Sequence, residues 1–422
     1  MKNKALVISI DSLEDGDLPL LLEYPNFREV LLDYSVSRDV ECIYPSYTYP
    51  SHAAIITGCY PDRHGIYHNE PFDPERDKTE WFWWERDLKC KTMLEYAADH
   101  GLTTASVTWP VTGGSKGDWI IPEIWPQKGE DPDTAFLPSI SPKAEEIYRR
   151  NRNHLFSLSN PFYPDLFAIG CTVDILREKK PDLMLLHLSA LDTSRHSTGE
   201  DREKNRKAFA FLDEKMGEII SALKDAGTYS HTTFFILGDH GQKDAECFFS
   251  INRVLKDRGY IRDRHDWNIF AHPSSFSAEI YIRDIAKSKA KQALSSIMKD
   301  YPEYISRLLS VEETEERFRL SGPFSFVMES QGGTIFLPSY EEEVVIPLGE
   351  RKTRASHGYS PERGNRTIFL ASGPCAAKNM VAEPCRLVDE APTILSLFGI
   401  EMNKADGKAI SALLNLPPDR DL

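Results

Sequence analysis

TTFFILGDHG, residues 232–241, decides the fold class. Its first six residues show no alternation of apolar and polar side chains, so both faces of the segment need burial. A strand of that kind belongs in a sheet covered by helices on both sides. The run then ends in two metal-ligand side chains, Asp239 and His240, between the glycines Gly238 and Gly241. In a doubly wound sheet, such carboxyl ends of strands form the rim where ligands bind.

Working outward, four more short apolar runs read as buried parallel strands: ALVISID (5–11), TTASVTW (103–109), DLMLLHLS (182–189) and RTIFLASG (366–373). Helix-like stretches separate them, among them 91–101 and 205–227, the latter closed by Lys224 and Gly227. Alternating strand and helix give an α/β fold with a doubly wound, mostly parallel central sheet flanked by helices. Residues 110–165, rich in Pro, Gly, Trp and Asp, read as an irregular surface excursion. Residues 243–355 mix charged helical stretches with strand-like pieces and read as an inserted, smaller α+β cap subdomain. That leaves 1–242 and 356–422 as the core.

The bulk composition narrows the function classes. The chain has 422 residues, 41% hydrophobic and 27% charged, which is globular. A net charge of −15 argues against a groove that tracks nucleic-acid phosphates. An acidic protein that handles phosphate needs local positive charge, and metal ions supply it. The opening MKNKALVISIDS has too short an apolar run for a signal peptide, and no run approaches a membrane span. Seven scattered cysteines without a CxxC pair suggest neither a disulfide framework nor a cysteine zinc site. The expectation is a cytoplasmic protein without a membrane partner.

Several strand ends carry ligand types. Asp11 ends the first run. Asp192 and His196 follow the third, four residues apart and so on one face of a helix. Asp239 and His240 end the fourth, and His357 precedes the last. Aspartate and histidine without cysteine suit zinc, and also manganese or iron. Six such ligands make two metal sites, and paired metals clamp the attacking and leaving oxygens of a phosphoryl transfer. In YPSYTYPSHAAIITG (44–58), Pro50 and Ser51 read as the start of a helix and Gly58 as its end. Thr48 then stands just before a positive helix terminus. It is either a second capping hydroxyl or, facing a metal pair, an activated nucleophile.

The series VISIDS, PSYTYPSHAAIITGCYPDRHGIYHN, LDTSRHSTG, LGDHGQ and SHGY resembles the nucleotide pyrophosphatase/phosphodiesterase (type I phosphodiesterase) family of the alkaline phosphatase superfamily. The resemblance runs from Asp11 to the C-terminal DEAPTILSLFGI and DGKAI. It implies that Asp192, His196 and His357 hold one zinc, and that Asp11, Asp239 and His240 hold the other beside a Thr48 nucleophile. It also implies that the Asn69 amide binds a phosphoryl oxygen. The implied activity is that of a metal-dependent phosphodiesterase acting on a small phosphoester through a threonyl-phosphate.

Around the first metal the sequence departs from the family pattern YxxPDxxGHxxGP. His187 stands where a base-stacking tyrosine is expected, Leu191 replaces the proline, and Arg195 replaces the glycine before His196. Nucleotide preference therefore does not carry over. Tyr49 and one of the aromatics in WFWW, Trp81 first, would wall a leaving-group pocket. Arg195, if turned inward, would bind a carboxylate or second phosphate. Phosphonoacetate hydrolysis or phosphomonoester hydrolysis on the same scaffold is the alternative, and a non-catalytic binding protein is the alternative of another class. Sulfatases are disfavoured because their C/S-x-P-x-R motif is absent, and cofactor-independent phosphoglycerate mutases because their nucleophile is serine.

Overall fold

A computed structural model describes residues 2–76, 80–126, 130–157 and 159–416. Its centre is an eight-stranded sheet. The strand order is Val381–Ala382, Ser35–Val40, Thr367–Ser372, Thr232–Leu237, Lys4–Ile10, Leu183–Leu188, Thr104–Val107 and Trp119–Ile121. Lys4–Ile10 runs parallel to both of its neighbours, pairing Val7 with Leu185 and with Phe235. These strands are apolar on both faces because both faces are covered. Leu6, Ile8 and Ile10 pack with Phe209, Met216 and Ile219 in one layer. Ala5 and Val7 pack with Ile55, Leu185 and Ile394 in the other. Each fully buried aliphatic side chain contributes about 1.5–3 kcal/mol relative to exposure.

Two expectations are corrected here. Thr367–Ser372 is antiparallel to Thr232–Leu237 and to Ser35–Val40. A strand buried on both faces has the same sequence pattern in either direction, so the apolar run alone could not orient it. Residues 110–165 are not a surface excursion. Trp119–Ile121 forms the parallel edge strand beside Thr104–Val107, and Val111, Phe136 and Tyr148 are buried in the core.

The helices follow their end signals. Arg206–Asp225 buries Phe209, Leu212, Met216, Ile219 and Leu223, one stripe at three- and four-residue spacing, and Gly227 beyond it takes φ 69°. Met93–Asp99 begins with a capping box in which Thr92 Oγ1 accepts from the Glu95 amide and the Glu95 carboxylate accepts from the Thr92 amide.

After Gln242 the chain leaves the sheet through Lys243–Asp244, which pairs antiparallel with Ala355–Ser356 on its return. Between these two strands lies an antiparallel sheet in the order Ile305–Ser310, Phe326–Ser330, Ser277–Ile282 and Ile269–Ser274. It packs with helices Ile251–Asp257 and Lys287–Asp300 around Leu255, Ile280 and Leu294, and Tyr44 and Tyr67 enter that cluster from the other part of the chain. Among the described residues, no helix is long and apolar enough to cross a membrane.

Candidate active site

Thr48 does not precede its helix. It is the first residue of Thr48–Thr57, with Tyr47 as the extended residue before it and Gly58 closing the helix at φ 65°. The reading of Ser51 as the cap is therefore corrected: its hydroxyl is buried without a hydrogen-bond partner. Pro50 falls inside the first turn, where a missing amide proton costs nothing. Thr48 Oγ1 lies 3.2 Å from His240 Nε2. The His52 imidazole is held between the Thr48 carbonyl oxygen, 2.8 Å from Nδ1, and the Ser9 hydroxyl, 2.9 Å from Nε2.

Around Thr48 the strand ends converge. Asp11 follows Lys4–Ile10, and its Oδ1 is 3.4 Å from His240 Nε2. Asp239 Oδ2 lies 3.2 Å from the same nitrogen, while its Oδ1 accepts from the Ser12 amide at 3.0 Å. Asp192 and His196 sit four apart on helix Ala190–Thr198, with Oδ2 and Nε2 3.3 Å apart. His357 Nε2 is 4.0 Å from Asp192 Oδ1, and the His357 ring stacks on His240 at 3.9 Å between centroids. One ligand atom from each of Asp192, His196 and His357 falls within a 4.8 Å cluster, as does one from each of Asp11, Asp192 and His240.

Close backbone packing sets this rim. A Cβ on Gly238 would overlap the Leu13 carbonyl oxygen. Gly358 holds φ 99°, and a Cβ there would strike the Tyr47 ring. Both glycines are required by close approach, and they bring the 239–240 and 357 loops together.

The donor atoms are disposed as a metal centre needs. His196 Nδ1 donates to the Ala355 carbonyl at 2.8 Å and His357 Nδ1 to the Ser46 carbonyl at 3.0 Å, so each ring turns Nε2 and its lone pair inward. Asp11 Oδ1 and Asp239 Oδ2 are buried without a hydrogen-bond partner. Burial, with the Asp192 charge adding to it, pushes the Asp11 carboxyl up to about 7. Burial, with Asp11 adding, pushes Asp239 well above the carboxylate range. Carboxylates that crowd a buried pocket in this way call for a cation. The donor set, six aspartate and histidine side chains and no cysteine, fits zinc-class ions.

Asn69 Oδ1 accepts from the Tyr49 amide at 3.0 Å, which leaves its NH2 to donate to a ligand. Tyr49 is fully buried, edge-on to Trp81 at 5.2 Å, with its hydroxyl 3.5 Å from the Glu123 carbonyl oxygen. Trp81 lines two cavities. One, of about 450 Å³, also takes in His68, Asn69, His196, Phe336 and Arg351. The other, of about 460 Å³, takes in Phe72, Arg76, Trp125 and His272.

Arg195 is corrected outright as a substrate contact. It is fully buried and turned away from the rim, donating to the Ser12 carbonyl and pairing with Asp17 at 2.7 Å. His187 is 2% exposed and is no open stacking wall. Its Nε2 donates to Asp11 Oδ2 at 3.2 Å and its Nδ1 reaches Glu123 Oε2 at 2.8 Å. Burial opposes its charge, but these two carboxylates hold its pKa well above the usual value. It positions Asp11, and it also lines a cavity of about 650 Å³ with Thr108, Glu123 and Phe136.

Sequence reasoning missed three participants. Gln242 donates its amide to Asp192 Oδ1, His52 fixes the Thr48 carbonyl, and Glu123 anchors His187. Gln242, two residues beyond His240, was the one with a signal, because polar residues next to ligands commonly orient them.

Residues 5–360 match the family model "Type I phosphodiesterase / nucleotide pyrophosphatase". The chain belongs to that family. Relatives by sequence include ectonucleotide pyrophosphatase/phosphodiesterase family member 3 of Rattus norvegicus, 22% identical over 420 residues, covering 93% of this chain and 42% of the relative. The venom phosphodiesterase of Macrovipera lebetinus is 21% identical, covering 83% of this chain and 38% of its own length. This family member thus spans about two-fifths of those curated relatives. Among solved structures, murine ectonucleotide pyrophosphatase/phosphodiesterase 5 superposes with a TM-score of 0.70 at 19% identity, over 97% of this chain and 100% of that one. An inactive threonine-to-alanine form of the murine protein, in complex with AMP, gives a TM-score of 0.71 at 19% identity over 98% of this chain and 100% of that one. These neighbours share with the family member the alkaline-phosphatase-like α/β fold.

Proposed function

We propose that this chain hydrolyses phosphodiesters by attack of Thr48 on phosphorus, at a site that holds two divalent ions, zinc foremost. One observation carries the reading. Six aspartate and histidine side chains from four separate chain segments converge near Thr48, with Asp11 Oδ1 and Asp239 Oδ2 buried and unpartnered. A threonine whose replacement by alanine gives an inactive form in the murine relative is in keeping with a threonine nucleophile.

Asp192, His196 and His357 would hold one ion, and Asp11, Asp239 and His240 the other, beside the Thr48 hydroxyl. Bound there, the pair would supply the positive charge that activates a hydroxyl and stabilises a leaving oxygen. The chain's own groups do the rest. Thr48 Oγ1 stands at the positive end of a ten-residue helix, where developing phosphoryl charge is favoured. As the Oγ1–P bond forms, the bond from phosphorus to the leaving alcohol breaks. The Thr48 proton goes to solvent and the leaving oxygen takes one up. The Asn69 NH2 donates to a non-bridging oxygen in both steps. A water then attacks the threonyl-phosphate, releasing the monoester and restoring Thr48. The 243–355 segment forms the far wall of the cleft through Ser275 and Phe336, and Trp81 walls the leaving group.

The cleft favours a monoanionic diester over a dianionic monoester. Arg195 is withdrawn onto Asp17, and Arg351, the cation lining the His196 cavity, is tied to Glu342. Asn69 is a neutral donor and Trp81 an apolar wall. The AMP complex of the murine relative keeps nucleotide-derived diesters within the proposed class. The expected outcome is that kcat/KM for bis-p-nitrophenyl phosphate exceeds that for p-nitrophenyl phosphate by at least ~10-fold, about 1.4 kcal/mol of differential transition-state binding. Both are measured with the same zinc loading and pH. A monoester preference would move the assignment to a phosphomonoesterase and leave the ligands and Thr48 in place.

A further inference from the structure

We propose that His68, His272 and Glu279 form a third metal site, separate from the six-ligand rim, which takes one zinc-class divalent ion in the wall of the cleft beside Asn69. One ligand atom from each residue falls within a 4.8 Å cluster. His272 and Glu279 are direct cross-strand partners in the antiparallel pair Ile269–Ser274 and Ser277–Ile282, so the sheet itself holds that pair side by side. His68 comes from the other part of the chain, immediately before Asn69, and its Nε2 lies 3.8 Å from Glu279 Oε2. The site would join the two parts of the cleft.

The unmet polar atoms are the second, independent observation. Glu279 is fully buried and neither of its carboxyl oxygens has a hydrogen-bond partner. His68 Nε2 and His272 Nδ1 are also buried and unpartnered. A buried carboxyl left this way is costly, and native structures pair such groups or give them a metal. His272 Nε2 lies 3.4 Å from Glu70 Oε1, so that nitrogen carries the ring proton and donates it outward. The Nδ1 lone pair then points inward, which is the carboxylate–histidine arrangement that orients metal ligands.

Two imidazoles and one carboxylate form the donor set of open, three-ligand zinc sites, and they disfavour magnesium and calcium, which prefer oxygen. The His68 and His272 rings stack at 3.9 Å and 24°, so their lone pairs lie in nearly parallel planes. Meeting on one ion requires a ring to turn about Cβ–Cγ. Each residue borders free volume, His68 the 450 Å³ cavity and His272 the 460 Å³ one. For His68 the turn also opens the 3.1 Å contact between Nδ1 and the Glu70 amide, letting the ring proton move to Nδ1.

The test is an anomalous-scattering map at the zinc edge on crystals of the full chain soaked with excess zinc, alongside metal content after dialysis. The expected result is a peak between His68, His272 and Glu279, absent in Glu279→Gln, with one fewer zinc per chain in that variant. Peaks on the rim with none at this cluster in the wild type would overturn the proposal, as would a peak that survives Glu279→Gln. A peak here with an empty rim would support it while contradicting the two-ion reading of Thr48, so the two failures are distinguishable. If Glu279→Gln does not fold, the wild-type map alone decides.

Discussion

Thr48 was singled out by its place at a helix start and by the family resemblance, Arg195 only by its position beside His196. Thr48 Oγ1 lies 3.2 Å from His240 Nε2, whereas Arg195 lies wholly inside the protein on Asp17. Thr48→Ala is expected to lose at least ~10³-fold in kcat on a diester while keeping its fold and bound metal, as removal of a nucleophile does. Steady-state kinetics with metal analysis checks it, and wild-type-like turnover would point to direct attack by water. For Arg195 the effect is on stability. Arg195→Met strips Asp17 and Glu14 of a buried partner, at about 3 kcal/mol, and leaves KM of the folded enzyme unchanged. Urea melts and KM together check this, and a KM rise without a stability loss would return Arg195 to the substrate. The direction of a side chain on a helix is set by what packs around it, so residue adjacency could not show it. His68, His272 and Glu279 were invisible for a related reason: they come from separated segments, and only the cross-strand pairing makes them neighbours.

At the scale of elements, legibility followed burial. The five long apolar runs are all strands of the main sheet, because each is covered on both faces. Direction left no trace in Thr367–Ser372, and Trp119–Ile121 is three residues long inside a segment that otherwise reads as loop. The start of the 48–57 helix was misplaced because Ser51 matches a capping residue by type but has a buried, unpartnered hydroxyl. Helix Glu390–Ser396 carries a similar unmet group. Glu390 is fully buried with neither oxygen partnered, and burial, with Asp389 adding, pushes its pKa well above the usual value. The folded chain therefore keeps a proton that the unfolded chain releases above about pH 4.3. Wild-type stability should fall as pH rises from there towards the folded pKa, by up to about 1.4 kcal/mol per pH unit. Glu390→Gln removes that slope, so its stability advantage over wild type should widen between pH 5 and 8 in parallel denaturant melts. A gap that stays constant across that range would mean the carboxyl is not protonated in the fold.

In the whole molecule, one sheet brings the candidate ligands together, and residues of the 243–355 segment line the cavity beside His196. Asp11, Asp192 and Asp239–His240 follow three adjacent strands, and His357 follows the Ala355–Ser356 strand that closes the insertion. Thr48 reaches them on a helix packed against the same sheet. That arrangement makes a specific claim about chemistry: two successive in-line displacements at phosphorus, the first by Thr48 and the second by water. Each displacement inverts phosphorus, so the pair restores its configuration. The most direct measurement is the stereochemical course of hydrolysis of one diastereomer of a phosphorothioate diester in isotopically labelled water, with zinc bound. Net retention is the predicted result. Net inversion would mean a single displacement by water and would contradict Thr48 as the nucleophile.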